Sequence, residues 1–115
     1  MPKTLDKAVE AAEIVDALKP YGLTQAAIAS AVGVSDRAVR GWRSANPRSD
    51  RYDQLAELRD LVGLLADSLT PRGVGQWLHA RNRTLGGARP IDLLAEGDVK
   101  RVEKAARAFV EGSYV

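Results

Sequence analysis

The stretch Thr24-Gln25-Ala26-Ala27-Ile28-Ala29-Ser30-Ala31-Val32-Gly33-Val34-Ser35-Asp36-Arg37-Ala38-Val39-Arg40-Gly41-Trp42-Arg43 contains two helical segments parted by a turn. Thr24 suits the N-cap of the first, because a hydroxyl oxygen there accepts from the amides that open a helix. Gly33 stops that helix where a left-handed residue is wanted, a conformation glycine takes without a Cβ penalty. Ser35 is placed to cap the second helix, and Val34 packs inward from the turn. Ala29 is small enough for the second helix to cross close over the first, and Gly41 would let backbone approach backbone. Ile28, Val32, Val39 and Trp42 recur at spacings that converge on one small core. The segment is therefore predicted to be a helix-turn-helix. With Val39 and Trp42 turned inward, helical periodicity turns Arg37 and Arg40 outward and puts Asp36 and Arg43 on the flanks.

These residues resemble the helix-turn-helix of the Xre/Cro repressor class, whose glutamine, apolar, alanine, apolar and Gly-Val-Ser positions are Gln25, Ile28, Ala29, Val32 and Gly33-Val34-Ser35 here. The resemblance implies DNA binding. The start of a recognition helix is the part that reaches base edges, which makes Arg37 and Arg40 the candidates for guanine contacts, beside Ser35 and Asp36. Thr24, Gln25, Arg43, Arg48 and Arg51 suit phosphate contacts. Charge agrees with this placement. The net charge is +2, yet residues 24–51 carry five arginines against Asp36 and Asp50. A basic patch attracts phosphate backbones, and the guanidinium pairs bidentately with phosphate or guanine. By charge alone, a solvated arginine face is an equal reading.

Outward from this motif the punctuation stays helical, and strictly alternating β-branched runs are absent. A helix is predicted over residues 5–19, with Ala8, Ala12, Val15 and Leu18 on one face and Pro20 as its stop. Residues 45–49 read as a loop. The longest helix is expected over residues 50–69, with a stripe of Leu55, Leu58, Leu61, Val62, Leu65 and Leu69. Thr70-Pro71 opens a short helix carrying Trp77, expected in the core. Residues 81–88 form a loop, Pro90 opens another short helix, and Asp98 caps the last one. Val99, Val102, Ala106, Phe109 and Val110 form its apolar stripe. The fold is predicted to be all-α. A helix-turn-helix domain over residues 1–48 precedes a small helical domain over residues 49–115, and the long helix is shared between their cores.

The second half reads Trp77, Asn82, Leu85, Gly86-Gly87, Pro90-Ile91-Asp92-Leu93-Leu94, Gly97 and Gly112-Ser113-Tyr114. This looks like the C-terminal toxin-binding domain of Xre/MbcA/ParS-type antitoxins, and with the upstream motif the resemblance covers essentially the whole chain. It implies a partner, a toxin of the RES class that consumes NAD, whose active-site cleft the antitoxin covers without being a catalyst itself. It also implies operator DNA as a second ligand, through which the antitoxin represses its own operon, and a homodimer that forms a hetero-oligomer with the toxin. Arg101, Lys104 and Arg107 recur on the polar side of the last helix, and Tyr114 and Val115 extend past it. An aromatic side chain and a carboxylate can plug a cleft lined with arginines. From the residues alone, Tyr114 folding back as core is an equal reading; the resemblance favours partner contact. Arg83 and Arg89 flank the Gly86-Gly87 loop and are secondary candidates for toxin binding. A plain transcriptional regulator whose second half only dimerises is one rival reading, and a pure protein inhibitor whose helix-turn-helix is a packing scaffold is a second.

Other chemistries find little support. The chain has no cysteine and one histidine, His79, so thiolate sites, a His-x-x-x-His pair and a Ser-His-Asp set lack their parts. Gly73-Val74-Gly75 follows a proline turn rather than a strand and lacks the third glycine of a dinucleotide fingerprint. No cofactor, metal or enzymatic activity is expected. No apolar run approaches the roughly 18 residues that span a bilayer, and no signal peptide is apparent, so a cytoplasmic protein without membrane contact is expected.

Overall fold

The computed structural model describes Leu5 and residues 8–112, and every regular element among them is helical. Helix α1 is Ala11–Leu18, α2 is Gln25–Val32, α3 is Asp36–Gly41, α4 is Ser49–Ala66, α5 is Pro71–His79, α6 is Pro90–Ala95 and α7 is Val99–Val110. Single 3₁₀ turns, Lys19–Tyr21 and Arg83–Leu85, precede α2 and α6.

Two predicted boundaries shift for local reasons. Glu10 is extended (φ −75°, ψ 144°), and the Glu13 carboxylate turns back to accept from the Glu10 amide at 3.0 Å, so α1 starts at Ala11. Pro20 does not stop the chain short. It sits inside the 3₁₀ turn, where its missing N–H costs little, and the reversal comes at Gly22 (φ 88°). The long helix ends at Ala66, three residues early, and Leu69 is half-buried beyond it.

The apolar periodicities meet in one core. Ile14 and Leu18 of α1, Ile28 and Val32 of α2, Leu55 to Leu65 along α4, Val74 and Leu78 of α5, Leu94 of α6 and Val102 of α7 belong to a single buried cluster. Fully burying one such aliphatic side chain stabilises the fold by roughly 1.5–3 kcal/mol. Helix α4 is the spine, since α1, α2, α5 and α7 all pack on it. The core is continuous across residue 48, because α2 packs on α6 and the first 3₁₀ turn packs on α5. At that second contact two glycines meet. A Cβ on Gly22 would lie 3.1 Å from the Gly75 Cα, so the backbones touch where any larger residue would hold them apart.

Polar clips tie the N-terminal segment to this spine. Arg59 donates to the Ala8 carbonyl at 2.8 Å and the Tyr52 hydroxyl donates to the Val9 carbonyl. The Asn46 side chain accepts from the Ala11 amide at 3.1 Å and donates to Glu10 Oε1 at 2.9 Å. Among the described residues no polar or charged residue is buried, so specificity of the core rests on shape alone.

Candidate nucleic-acid interface and C-terminal groove

The helix-turn-helix is built as the residues dictate. The Thr24 hydroxyl accepts from the Ala27 amide at 3.0 Å and the Ser35 hydroxyl from the Ala38 amide at 3.0 Å. Gly33 is left-handed (φ 83°), and its amide and that of Val34 both donate to the Ala29 carbonyl, at 2.9 and 3.0 Å. Val39 and Trp42 are buried, and Arg37, Arg40 and Asp36 are exposed beside them. Gly41 departs from expectation: a Cβ there would meet nothing within 4 Å, so no backbone approaches it.

The five arginines are not equivalent. Arg37 makes no hydrogen bond or ion pair among the described residues. Arg40 pairs with Asp36 at 2.9 Å, one helical turn back. Arg48 pairs with Asp50 at 3.2 Å, both side chains well exposed. Arg43 clasps Asp16 of α1 bidentately, at 2.7 and 3.2 Å; that hydrogen bond, aided by the charges of Arg43 and Lys19, holds the Asp16 carboxyl below its ordinary value against the opposing effect of desolvation. Arg51 reaches from α4 to the Val32 carbonyl at 2.8 Å and to Gln54 at 3.2 Å. It therefore serves first as a side-chain cap on the C-terminus of α2. Gln25 is half-buried, and the hydroxyl oxygens of Thr24 and Ser35 are engaged in their caps.

The C-terminal half presents a groove between the end of α5, the Arg83–Leu85 turn and α7. Asn82 shapes the turn by accepting from the Thr84 amide at 2.9 Å, and Arg81 donates to the Gly87 carbonyl at 3.1 Å. Trp77 is half-buried rather than a core residue, and Phe109 is 39% exposed although it was expected on the apolar stripe. Their ring centroids are 6.2 Å apart with planes tilted by 51°. The two rings and Arg83 line a groove of about 340 Å³. A second hollow of about 320 Å³, lined by Thr84, Leu85, Arg101 and Lys104, adjoins it.

Of the cations singled out for partner contact, the structure brings three together, Arg83, Arg101 and Lys104. Arg83 and Lys104 have no partner among the described residues, and Arg101 lies 3.7 Å from Asp98. Arg107 pairs with Glu103 at 3.2 Å and lines neither hollow. Arg89 is clasped bidentately by Asp92 at 2.9 Å; that hydrogen bond is the main reason the Asp92 carboxyl lies below its ordinary value. Tyr114 and Val115 lie outside the described residues. Trp77 and Phe109 were missed as surface residues. The signal was the alanines beside them, Ala80 and Ala105, which leave a hollow where larger side chains would have closed the core.

His79 sits beside the contact between Gly22 and Gly75, its Nε2 3.3 Å from the Gly22 carbonyl. Among the described residues no cluster of His, Asp or Glu is placed to hold a metal ion, and no helix is long and apolar enough to cross a membrane.

Residues 58–105, which run from the middle of α4 into α7 and include the whole turn of the groove, match the antitoxin Xre/MbcA/ParS C-terminal toxin-binding domain. Over all 115 residues, and over the full length of both chains, the sequence is 64% identical to a probable mycobacterial cidal antitoxin of Mycobacterium tuberculosis. The chain belongs to the Xre/MbcA/ParS antitoxin family. A second family member, the mycobacterial cidal antitoxin MbcA of Mycobacterium bovis, is 29% identical over 109 residues, covering 93% of this chain and 96% of MbcA. In three dimensions this antitoxin-family chain is similar to a chain in the crystal structure of the M. tuberculosis MbcT-MbcA toxin-antitoxin complex. The TM-score is 0.72 at 28% identity, covering 94% of this chain and 99% of that one.

Proposed function

We propose that this protein is an antitoxin that neutralises a NAD-consuming toxin of the RES class by covering its active-site cleft, and that it represses its own operon through the helix-turn-helix. The division of labour follows the two segments, DNA binding by residues 1–48 and toxin binding and oligomerisation by residues 49–115. The observation that carries the reading is the end-to-end likeness to an antitoxin family member within a toxin-antitoxin complex. The protein works by binding rather than by catalysis. Beyond α7 in the sequence, Tyr114 and Val115 supply an aromatic and an apolar side chain suited to filling a cleft. On the DNA side, Arg37 and Arg40 read bases from the capped helix α3, and Arg43, Arg48 and Arg51 with Thr24 and Gln25 hold phosphates. Two half-sites require a dimer with recognition helices about 34 Å apart.

The test is co-expression with the product of the adjacent reading frame, followed by NAD consumption in lysate and with purified proteins. The antitoxin should abolish NAD loss, and the variant lacking residues 112–115 should restore it while still shifting operator DNA. Neutralisation that survives the deletion removes the tail from the mechanism. Operator binding with no toxin bound at any concentration leaves the plain regulator, which the intact caps of α2 and α3 favour.

A further inference from the structure

Two large apolar side chains stand out as exposed among the described residues, Val9 and Phe109. Phe109 is the one with a built environment. It tilts against Trp77 across a groove of about 340 Å³, and the rim of that groove and of the adjoining hollow carries Arg83, Arg101 and Lys104. Among the described residues no carboxylate lines either hollow. Arg83 and Lys104 have no intrachain partner among the described residues, whereas Arg40, Arg43, Arg48, Arg89 and Arg107 each hold a carboxylate. An aromatic pocket rimmed by unneutralised cations has the charge and shape to take an apolar anchor flanked by acidic groups.

We propose that this groove is a docking surface for an acidic segment of the toxin, a segment that seats one apolar side chain against the paired rings of Trp77 and Phe109 and sets carboxylates against Arg83 and Lys104. The inference rests on the toxin-binding reading above and adds to it a second contact, separate from the tail. Two observations favour a protein segment over nucleic acid. Nearly the whole groove lies within the segment matched to the toxin-binding domain, residues 58–105. The groove is lined by two tilted aromatic rings together with Ala80 and Ala105, a pocket for one anchor rather than a track for successive bases.

Calorimetric titration with the toxin from the adjacent reading frame tests this. Arg83→Glu combined with Lys104→Glu should weaken binding at least thirtyfold, and the loss should shrink as salt is raised, because charge contacts at a rim are screened. Phe109→Ala should weaken it about tenfold with little salt dependence. Arg72→Glu, a charge change at an exposed arginine of α5 outside both hollows, should leave the affinity unchanged. Circular dichroism of each variant confirms folding; Arg83 and Lys104 are exposed, so their reversal spares the core. Wild-type protein that fails to bind the toxin overturns the functional reading itself. Wild-type binding with unchanged affinity in the double variant overturns the docking surface alone, as does an equal loss with Arg72→Glu. The groove is also reassigned if the double variant keeps toxin affinity but loses operator affinity, or alters self-association in sedimentation.

Discussion

At the scale of single residues, the five arginines of residues 24–51 show how far a charge count can be trusted. The count places positive charge on one stretch of the chain, but it cannot say which guanidinium is committed elsewhere. Arg37 has no partner among the described residues, so Arg37→Ala should cost about 1–3 kcal/mol at the operator and much less on random DNA. Gel shifts with both DNAs decide it, and equal loss on each would take Arg37 out of base reading. Arg43 is committed to Asp16. Because the Asp16 carboxyl titrates lower folded than unfolded, its contribution to stability is present above the unfolded value, about 3.9, and is lost as pH falls through the folded value. Asp16→Asn should therefore lower the urea midpoint at pH 7, and the gap from wild type should narrow as pH falls below about 3.9. A gap that persists in acid would mean that the pair contributes through packing. The effect is small, since both side chains are about half exposed.

At the scale of elements, the turn between α2 and α3 is held from outside the motif. Arg51 of α4 donates to the Val32 carbonyl, one of the acceptors a helix C-terminus leaves unpaired. Gly33 holds the left-handed angle beside it. Gly33→Ala should destabilise the protein by about 1–2 kcal/mol, the cost of an L-residue in that region. The new Cβ would meet only the flexible tip of Arg51, at 3.1 Å. Arg51→Ala should cost about 1 kcal/mol through the lost hydrogen bond. Both are measured by urea denaturation. For Arg51→Ala, operator affinity measured well below the unfolding midpoint separates the two roles proposed for this residue. An unchanged affinity confines it to the cap, and a uniform loss on all DNA adds a phosphate contact.

At the scale of the whole molecule, α2 lies on α6 and α4, and the first 3₁₀ turn lies on α5. The N-terminal and C-terminal segments therefore bury one another's apolar faces. Leu94 of α6 is 1% exposed, and Leu94→Ala should cost about 2–5 kcal/mol. Thermal unfolding should remain a single transition, with operator binding lost along with the C-terminal structure although Leu94 is far from α3 in sequence. A fragment of residues 1–48 should be largely unfolded by circular dichroism, since the faces of α1 and α2 that meet α4 and α6 would be bare. Two resolved transitions, or a folded fragment, would show that the halves are independent.

The sequence by itself determined the helices, the caps at Thr24, Ser35, Thr70 and Asp98, the left-handed stop at Gly33 and the family. These depend on contacts within a few residues or on a linear pattern, and both are written in residue order. Boundaries slipped where a distant or unusual group intervened, as at Glu10 and Pro20. Only the tertiary structure decided which arginines of residues 24–51 are occupied, because Asp16 and the Val32 carbonyl lie far from Arg43 and Arg51 along the chain. It alone decided that Trp77 and Phe109 meet at the surface, since α5 and α7 are separated by a turn and a helix. A helical stripe tells which side chains turn inward, but the neighbour that faces them is set by packing, and beside Ala80 and Ala105 that packing leaves a groove.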